Sequence, residues 1–158
     1  MTKIKVSLAY LFDGDSVLVT QRPLDKTYGG QWEFPGGKLE ADETPEAAIV
    51  RELQEELCID VTVNKVLQSY TYQVSEDTEI EFFPIYCEWE VQPLTLTEHI
   101  EHRFLMPSEI KELDLAPPDY KAVDLLIEFA SKNGLGSVQK SGRPRSRDSS
   151  GRYISVHN

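Results

Sequence analysis

Cysteine is nearly absent: the 158 residues hold two, Cys58 and Cys87. So few exclude a disulfide framework, and reduced thiols in a cytoplasmic protein are the expectation. No apolar run approaches the ~20 residues needed to span a bilayer. The opening segment MTKIKVSLAYLFDGDS alternates like a strand and reaches Asp13 and Asp15 without a small-residue cleavage site, so no signal peptide is expected. Basic residues are scarce, 16 against 27 acidic ones, and the net charge is -11. A protein that coats DNA or RNA needs a basic face, so stable nucleic-acid binding is not expected.

The deficit is uneven. From Ser131 onward there are six basic residues and one acidic residue (Asp148), a balance of +5, while residues 1–130 hold 10 basic and 26 acidic ones, a balance of -16. Such a body repels a polyphosphate unless something intervenes. The length suits one domain. The expected division is a domain over 1–131 and a basic, Ser/Gly/Arg-rich tail over 132–158, flexible by composition unless Tyr153-Ile154-Ser155-Val156 docks as an added strand.

Ile4, Val6, Leu8, Tyr10 and Phe12 recur at period two, which predicts a strand with one buried face, returning through Asp13-Gly14-Asp15 into a second strand over 16–20. Residues 23–37 read as loop. Thr44 as N-cap and Pro45 as first helical residue predict a helix to about Leu57. Residues 61–74 and 78–91 read as two strands, with a phase switch at Phe83-Pro84 that predicts a bulge or an edge position and puts Trp89 in the core. A short strand over 103–106, a helical turn over 107–113 and a last helix over 118–130, ended by Asn133-Gly134, complete the pattern.

On the first helix, at about 100° per residue, Glu52, Glu55 and Glu56 share an arc of about 100°, beside an apolar stripe of Ile49, Val50, Leu53 and Leu57. Like charges there repel. A solvated acidic face and a site for a hard divalent cation, which prefers oxygen ligands, are both open on geometry alone. Gly37, Glu43 and the run Arg51-Glu52-Leu53-Gln54-Glu55-Glu56-Leu57-Cys58-Ile59 resemble the Nudix box, G-x5-E-x7-R-E-U-x-E-E-x-G-U with U aliphatic, departing from it only in Cys58 for Gly. That Gly position follows the helix end, where a left-handed conformation is common.

The resemblance implies an α/β (α+β) fold, the Nudix α/β/α sandwich with a mixed central sheet, and hydrolysis of a nucleoside diphosphate linked to another moiety with Mg²⁺ or Mn²⁺. It makes Glu52, Glu55, Glu56 and the carbonyl of Gly37 metal ligands, Arg51 an orienting residue, Glu43 a structural brace and Glu52 the first candidate base. Gln31-Trp32-Glu33-Phe34-Pro35-Gly36-Gly37-Lys38 resembles the MutT-like subgroup. Within it Arg22 meets phosphate, Phe34 and Lys38 join the substrate site, Glu98 (with Glu101 its rival) is a further metal-binding or base carboxylate, and Asp119 after Pro118 contacts the base. Locally, Asp119 reads equally as a helix cap. Trp32 packs beneath the loop or flanks the base, and His99 and His102 read as surface. The implied reaction is hydrolysis of a nucleoside triphosphate to monophosphate and pyrophosphate, with 8-oxo-dGTP-like purines first and CTP-type substrates second. Alternatives are a nucleotide-sugar or dinucleotide hydrolase and a non-catalytic nucleotide sensor. A monomer or homodimer is expected, with no membrane partner.

Overall fold

The computed structural model describes residues 1–135 and two short strands beyond them. In chain order the elements are β1 (Thr2–Asp13), β2 (Ser16–Gln21), β3 (Trp32–Glu33), β4 (Gly36–Lys38), α1 (Pro45–Leu57), β5 (Thr62–Val66), β6 (Tyr70–Gln73), β7 (Thr78–Glu88), β8 (Glu101–Leu105), α2 (Pro107–Ile110), α3 (Asp119–Lys132), β9 (Ser146–Arg147) and β10 (Tyr153–Ile154). They fall into two compact units, Met1–Leu11 with Phe34–Glu98, and Phe12–Glu33 with His99–Asn158.

In the first unit β1 runs parallel to β7 and antiparallel to β4, and β5 and β6 pair antiparallel with β7, so the sheet is mixed. The expected single buried face of β1 is corrected. Ser7, Ala9 and Leu11 are as buried as Leu8 and Tyr10, so both faces of β1 are covered over residues 7–11. The Ser7 hydroxyl donates to the carbonyl of Pro45 (2.8 Å), tying the strand to the first residue of α1. The expected strand over 61–74 is two strands. The antiparallel neighbour of β7 changes from β5 to β6 across Phe83-Pro84. Pro84 has no ladder N–H to offer. No edge position occurs there, since β7 is flanked by β1 and by β5 and β6, but the register does step by one residue across that point, from Val66 opposite Ile85 to Tyr70 opposite Phe82; another shift lies on β5 between Val63 and Lys65. β7 ends at Glu88, so Trp89 leaves the ladder half-buried instead of entering the core.

α1 begins and ends as its sequence dictates. The Thr44 side chain accepts from the N–H of Ala47 (3.1 Å), and Pro45 takes the first turn, where no N–H is missed. Ile49, Leu53 and Leu57 are buried, whereas Val50 lies at the edge of the stripe and is exposed. Cys58 adopts the left-handed conformation (φ 56°, ψ 40°) and its N–H donates to the carbonyl of Gln54 (3.1 Å). A non-glycine residue pays about 1–2 kcal/mol there, and glycine returns part of that as unfolded-chain entropy. Cys58→Gly is therefore expected to raise stability by about 0.5–1 kcal/mol in urea titration, without loss of activity.

In the second unit β2 pairs with β8 over Val17–Gln21 and with β3 at Thr20 and Gln21. The region expected to be loop thus contains β3 and β4, strands of two and three residues, too short to show a period. α3 buries Asp119, Ala122, Val123, Leu126 and Ala130 along one stripe. Its end is closed by Gly134 (φ 67°) and by the Leu135 N–H donating to Ala130 (2.8 Å), the hydrogen bond of a glycine-terminated helix. β9 and β10 pair with each other and not with the main sheet. The rest of the predicted tail lies outside the described residues. Among those described, no helix is long and apolar enough to cross a membrane.

Candidate active site

The first unit holds the acidic helix face, and its centre is a cation of the protein's own. Arg51 grips Glu43 with both edges of its fork, Nε to Oε2 and Nη2 to Oε1, each at 2.8 Å. Its Nη1 donates to Glu52 Oε1 (2.9 Å) and to Glu55 Oε2 (3.2 Å), and Nη2 also donates to the carbonyl of Lys38 (3.1 Å). Two of the three carboxylates on the predicted arc therefore share one nitrogen. Glu43 also accepts from the N–H of Glu40 (2.9 Å), which fastens the loop before the helix. The Arg51 hydrogen bond, then that N–H, hold the Glu43 pKa down at about 2, and Glu43 in return raises that of Arg51. Glu52 moves the other way: burial raises its pKa, and the Arg51 hydrogen bond opposes that only in part.

Gly37 packs directly on Glu52. A Cβ at Gly37 would stand 2.6 Å from both Glu52 carboxylate oxygens, so only glycine lets the β4 backbone approach that group. The Thr97 N–H and hydroxyl reach the end of α1: the hydroxyl donates to the carbonyls of Glu55 (2.9 Å) and Glu56 (3.2 Å), and the N–H to Glu56 (3.1 Å). This docking sets Glu98, one residue on and exposed, beside the end of the acidic helix, whereas its rival Glu101 pairs with Arg103 in β8 (3.3 Å). Nothing in the periodicity marked Thr97. The donors gathered here are carboxylate and peptide oxygens, the set that suits a hard divalent cation. Among the described residues no three acidic, His or Cys side chains form a ready metal cluster; Arg51 Nη1 holds Glu52 and Glu55 instead.

Two further candidates lie in this unit. The Phe34 side chain is buried and packs edge-on against Tyr10 (5.2 Å between centroids), so it serves the core and only its backbone is left for a ligand. The Lys38 side chain is exposed.

In the second unit Arg22 donates from Nε to the carbonyl of Thr27 (2.6 Å) and from Nη1 to Glu33 Oε1 (2.9 Å). Glu33 Oε2 lies 3.0 Å from His99 Nε2. The expectation of a surface His99 is corrected: its side chain is 4% exposed. Trp32 is buried, which fits packing beneath the loop, with the Arg103 guanidinium 4.7 Å from its ring centroid. Asp119 is 5% exposed and stands in the first turn of α3, directly after the N-cap Pro118.

Comparisons with known proteins bear on the family and the fold. Residues 1–126 match the NUDIX domain family. CTP pyrophosphohydrolase of Escherichia coli (strain K12) is 37% identical over 132 residues, covering 80% of this chain and 93% of that protein. An 8-oxo-dGTP diphosphatase of Proteus vulgaris is 46% identical over 76 residues, 48% of this chain and 68% of its own length. The solution structure of the E. coli ORF135 protein superposes with a TM-score of 0.75 at 31% identity, covering 84% of this chain and 94% of that one. With its mixed sheet, its few helices and the Gly37–Ile59 motif folded around Arg51, the chain belongs to the Nudix hydrolase family.

Proposed function

We propose that the protein hydrolyses a nucleoside triphosphate to a nucleoside monophosphate and pyrophosphate, with an 8-oxo-dGTP-like purine nucleotide as first substrate and CTP-type nucleotides second. The observation that carries the reading is the Glu52 carboxylate, half-buried against Gly37 and linked through Arg51 to Glu55. The names of the relatives support the substrate class. Mg²⁺ or Mn²⁺ would be held by Glu52, Glu55, Glu56, Glu98 and the carbonyl of Gly37, and supplies neutralisation of phosphate charge and a more acidic bound water. Glu52 accepts the proton of the attacking water. Arg22 meets phosphate, with Lys38 and the Phe34 backbone beside the substrate. Asp119 meets the base, accepting from an exocyclic amine as a carboxylate and also donating when protonated.

The test is a panel of nucleoside triphosphates, nucleotide sugars and dinucleotides with Mg²⁺ and Mn²⁺, read by release of pyrophosphate and monophosphate. Pyrophosphate release from a triphosphate is expected, and absence of turnover across the panel would sink the reading. The same panel on Asp119→Ala is expected to reorder the nucleotides; a uniform loss would remove Asp119 from base recognition.

A further inference from the structure

We propose that His99 is a positioning residue that sets the Arg22 guanidinium through Glu33; the inference rests on the reading of Arg22 as the phosphate contact. The three side chains form one line. His99 Nε2 meets Glu33 Oε2 (3.0 Å), and Glu33 Oε1 meets Arg22 Nη1 (2.9 Å). Thr27 fixes the Nε edge of the same guanidinium (2.6 Å). Both ends of the line are anchored in the β2 region. The Ile100 N–H, next to His99, donates to the carbonyl of Gln21 (3.0 Å), and the Arg22 N–H donates to that of Gln31 (2.9 Å). The imidazole is thus held close to the end of β2, which Arg22 directly follows.

The chemistry of the ring supports a role beyond filling space. Nδ1 of His99 is buried and has no hydrogen-bond partner. Burying a polar atom unmatched costs stability, and a phenyl ring would fill the volume without that cost. What a phenyl ring lacks is the N–H that faces Glu33. A carboxylate oxygen accepts, so Nε2 carries the proton. His99 thus pins one Glu33 oxygen and leaves the other for Arg22. Without it, Glu33 can turn and accept from the guanidinium with both oxygens, which redirects the fork that meets the substrate.

The experiment compares His99→Phe, which keeps the ring volume and loses the donor, with His99→Gln, whose Nε2 can replace it. With the triphosphate best used by the wild-type enzyme, His99→Phe is expected to raise KM about tenfold, the order of one hydrogen bond to a charged group, with kcat changed less than about twofold. His99→Gln restores KM. In an Arg22→Ala background His99→Phe adds nothing further. The Arg22 Nε–H signal in ¹⁵N NMR is expected at the same position in the wild type and in His99→Gln, and shifted in His99→Phe. An unmoved Arg22 signal, an unchanged KM, a His99→Gln variant as poor as His99→Phe, or additive losses with Arg22→Ala would each overturn the proposal. If His99→Phe does not fold, Glu33→Gln, which keeps the shape and leaves one acceptor oxygen for the two donors, carries the same two readouts. A wild-type protein that turns over no nucleotide defeats the functional reading, while the Arg22 signal still decides whether His99 positions it.

Discussion

Glu52→Gln is expected to lower kcat for the nucleoside triphosphate by on the order of 10³-fold while leaving the fold intact. Glutamine keeps the length and planarity of the side chain, so its oxygen still accepts from Arg51 Nη1, as Glu52 Oε1 does at 2.9 Å. It loses the negative charge, and with it the capacity to hold a divalent cation strongly and to take a proton. Stability moves little, because burial already opposes the charge on Glu52. Removing a charge that burial disfavours leaves the melting temperature unchanged or slightly higher. Activity and stability therefore separate, and circular dichroism melts beside steady-state kinetics read both. A loss below about tenfold would take Glu52 out of proton transfer and leave it a neutral spacer between Gly37 and Arg51. A large loss accompanied by unfolding would assign the effect to packing.

The elements legible in the sequence are those with their own punctuation. Thr44-Pro45 opens α1 and Asn133-Gly134 closes α3, because caps act within a few residues of the chain they end. Strands without such marks depend on distant partners. β3 and β4 exist through pairing with β2 and β1, and a period cannot be read from two or three residues. Alternation likewise understated β1, since a strand covered on both faces buries Ser7 and Ala9 as fully as its large residues.

The same distinction divides the site. Glu52 and Glu55 could be put on one arc from helical spacing, and Glu43 and Arg51 joined them through the resemblance to the Nudix box, a helix and its preceding loop that lie close in sequence. Glu33 and His99 are 66 residues apart, and no local pattern joins them. Thr97 reaches carbonyls 41 and 42 residues back, and a threonine in a loop carries no mark of doing so. The acidic excess has an equally local meaning at this site. Glu43, Glu52 and Glu55 are gathered by one guanidinium, which makes tolerable a carboxylate density that would otherwise repel both itself and a phosphate.

That dependence on one residue leads to the second large effect. Arg51→Met is expected to lower activity by about 10–100-fold, the range seen when a group that orients metal ligands is removed. Methionine keeps the apolar stem but releases Glu43, Glu52 and Glu55 together. Arg51→Lys recovers little, since an ammonium cannot span both Glu43 oxygens at 2.8 Å while also reaching Glu52. Glu43→Gln isolates one arm of the network and gives it a pH signature. The Glu43 pKa is about 2 in the folded protein against an ordinary value of 4.5. Between those values the unfolded chain binds more protons, so the stability contributed by the pair is full above about pH 4.5 and is lost as the pH falls toward 2. The stability difference between wild type and Glu43→Gln, measured by urea titration, is therefore expected to be constant near neutrality and to shrink across that acid window. A difference independent of pH would mean that Glu43 braces the loop through its shape and the Glu40 N–H, with its charge toward Arg51 contributing nothing.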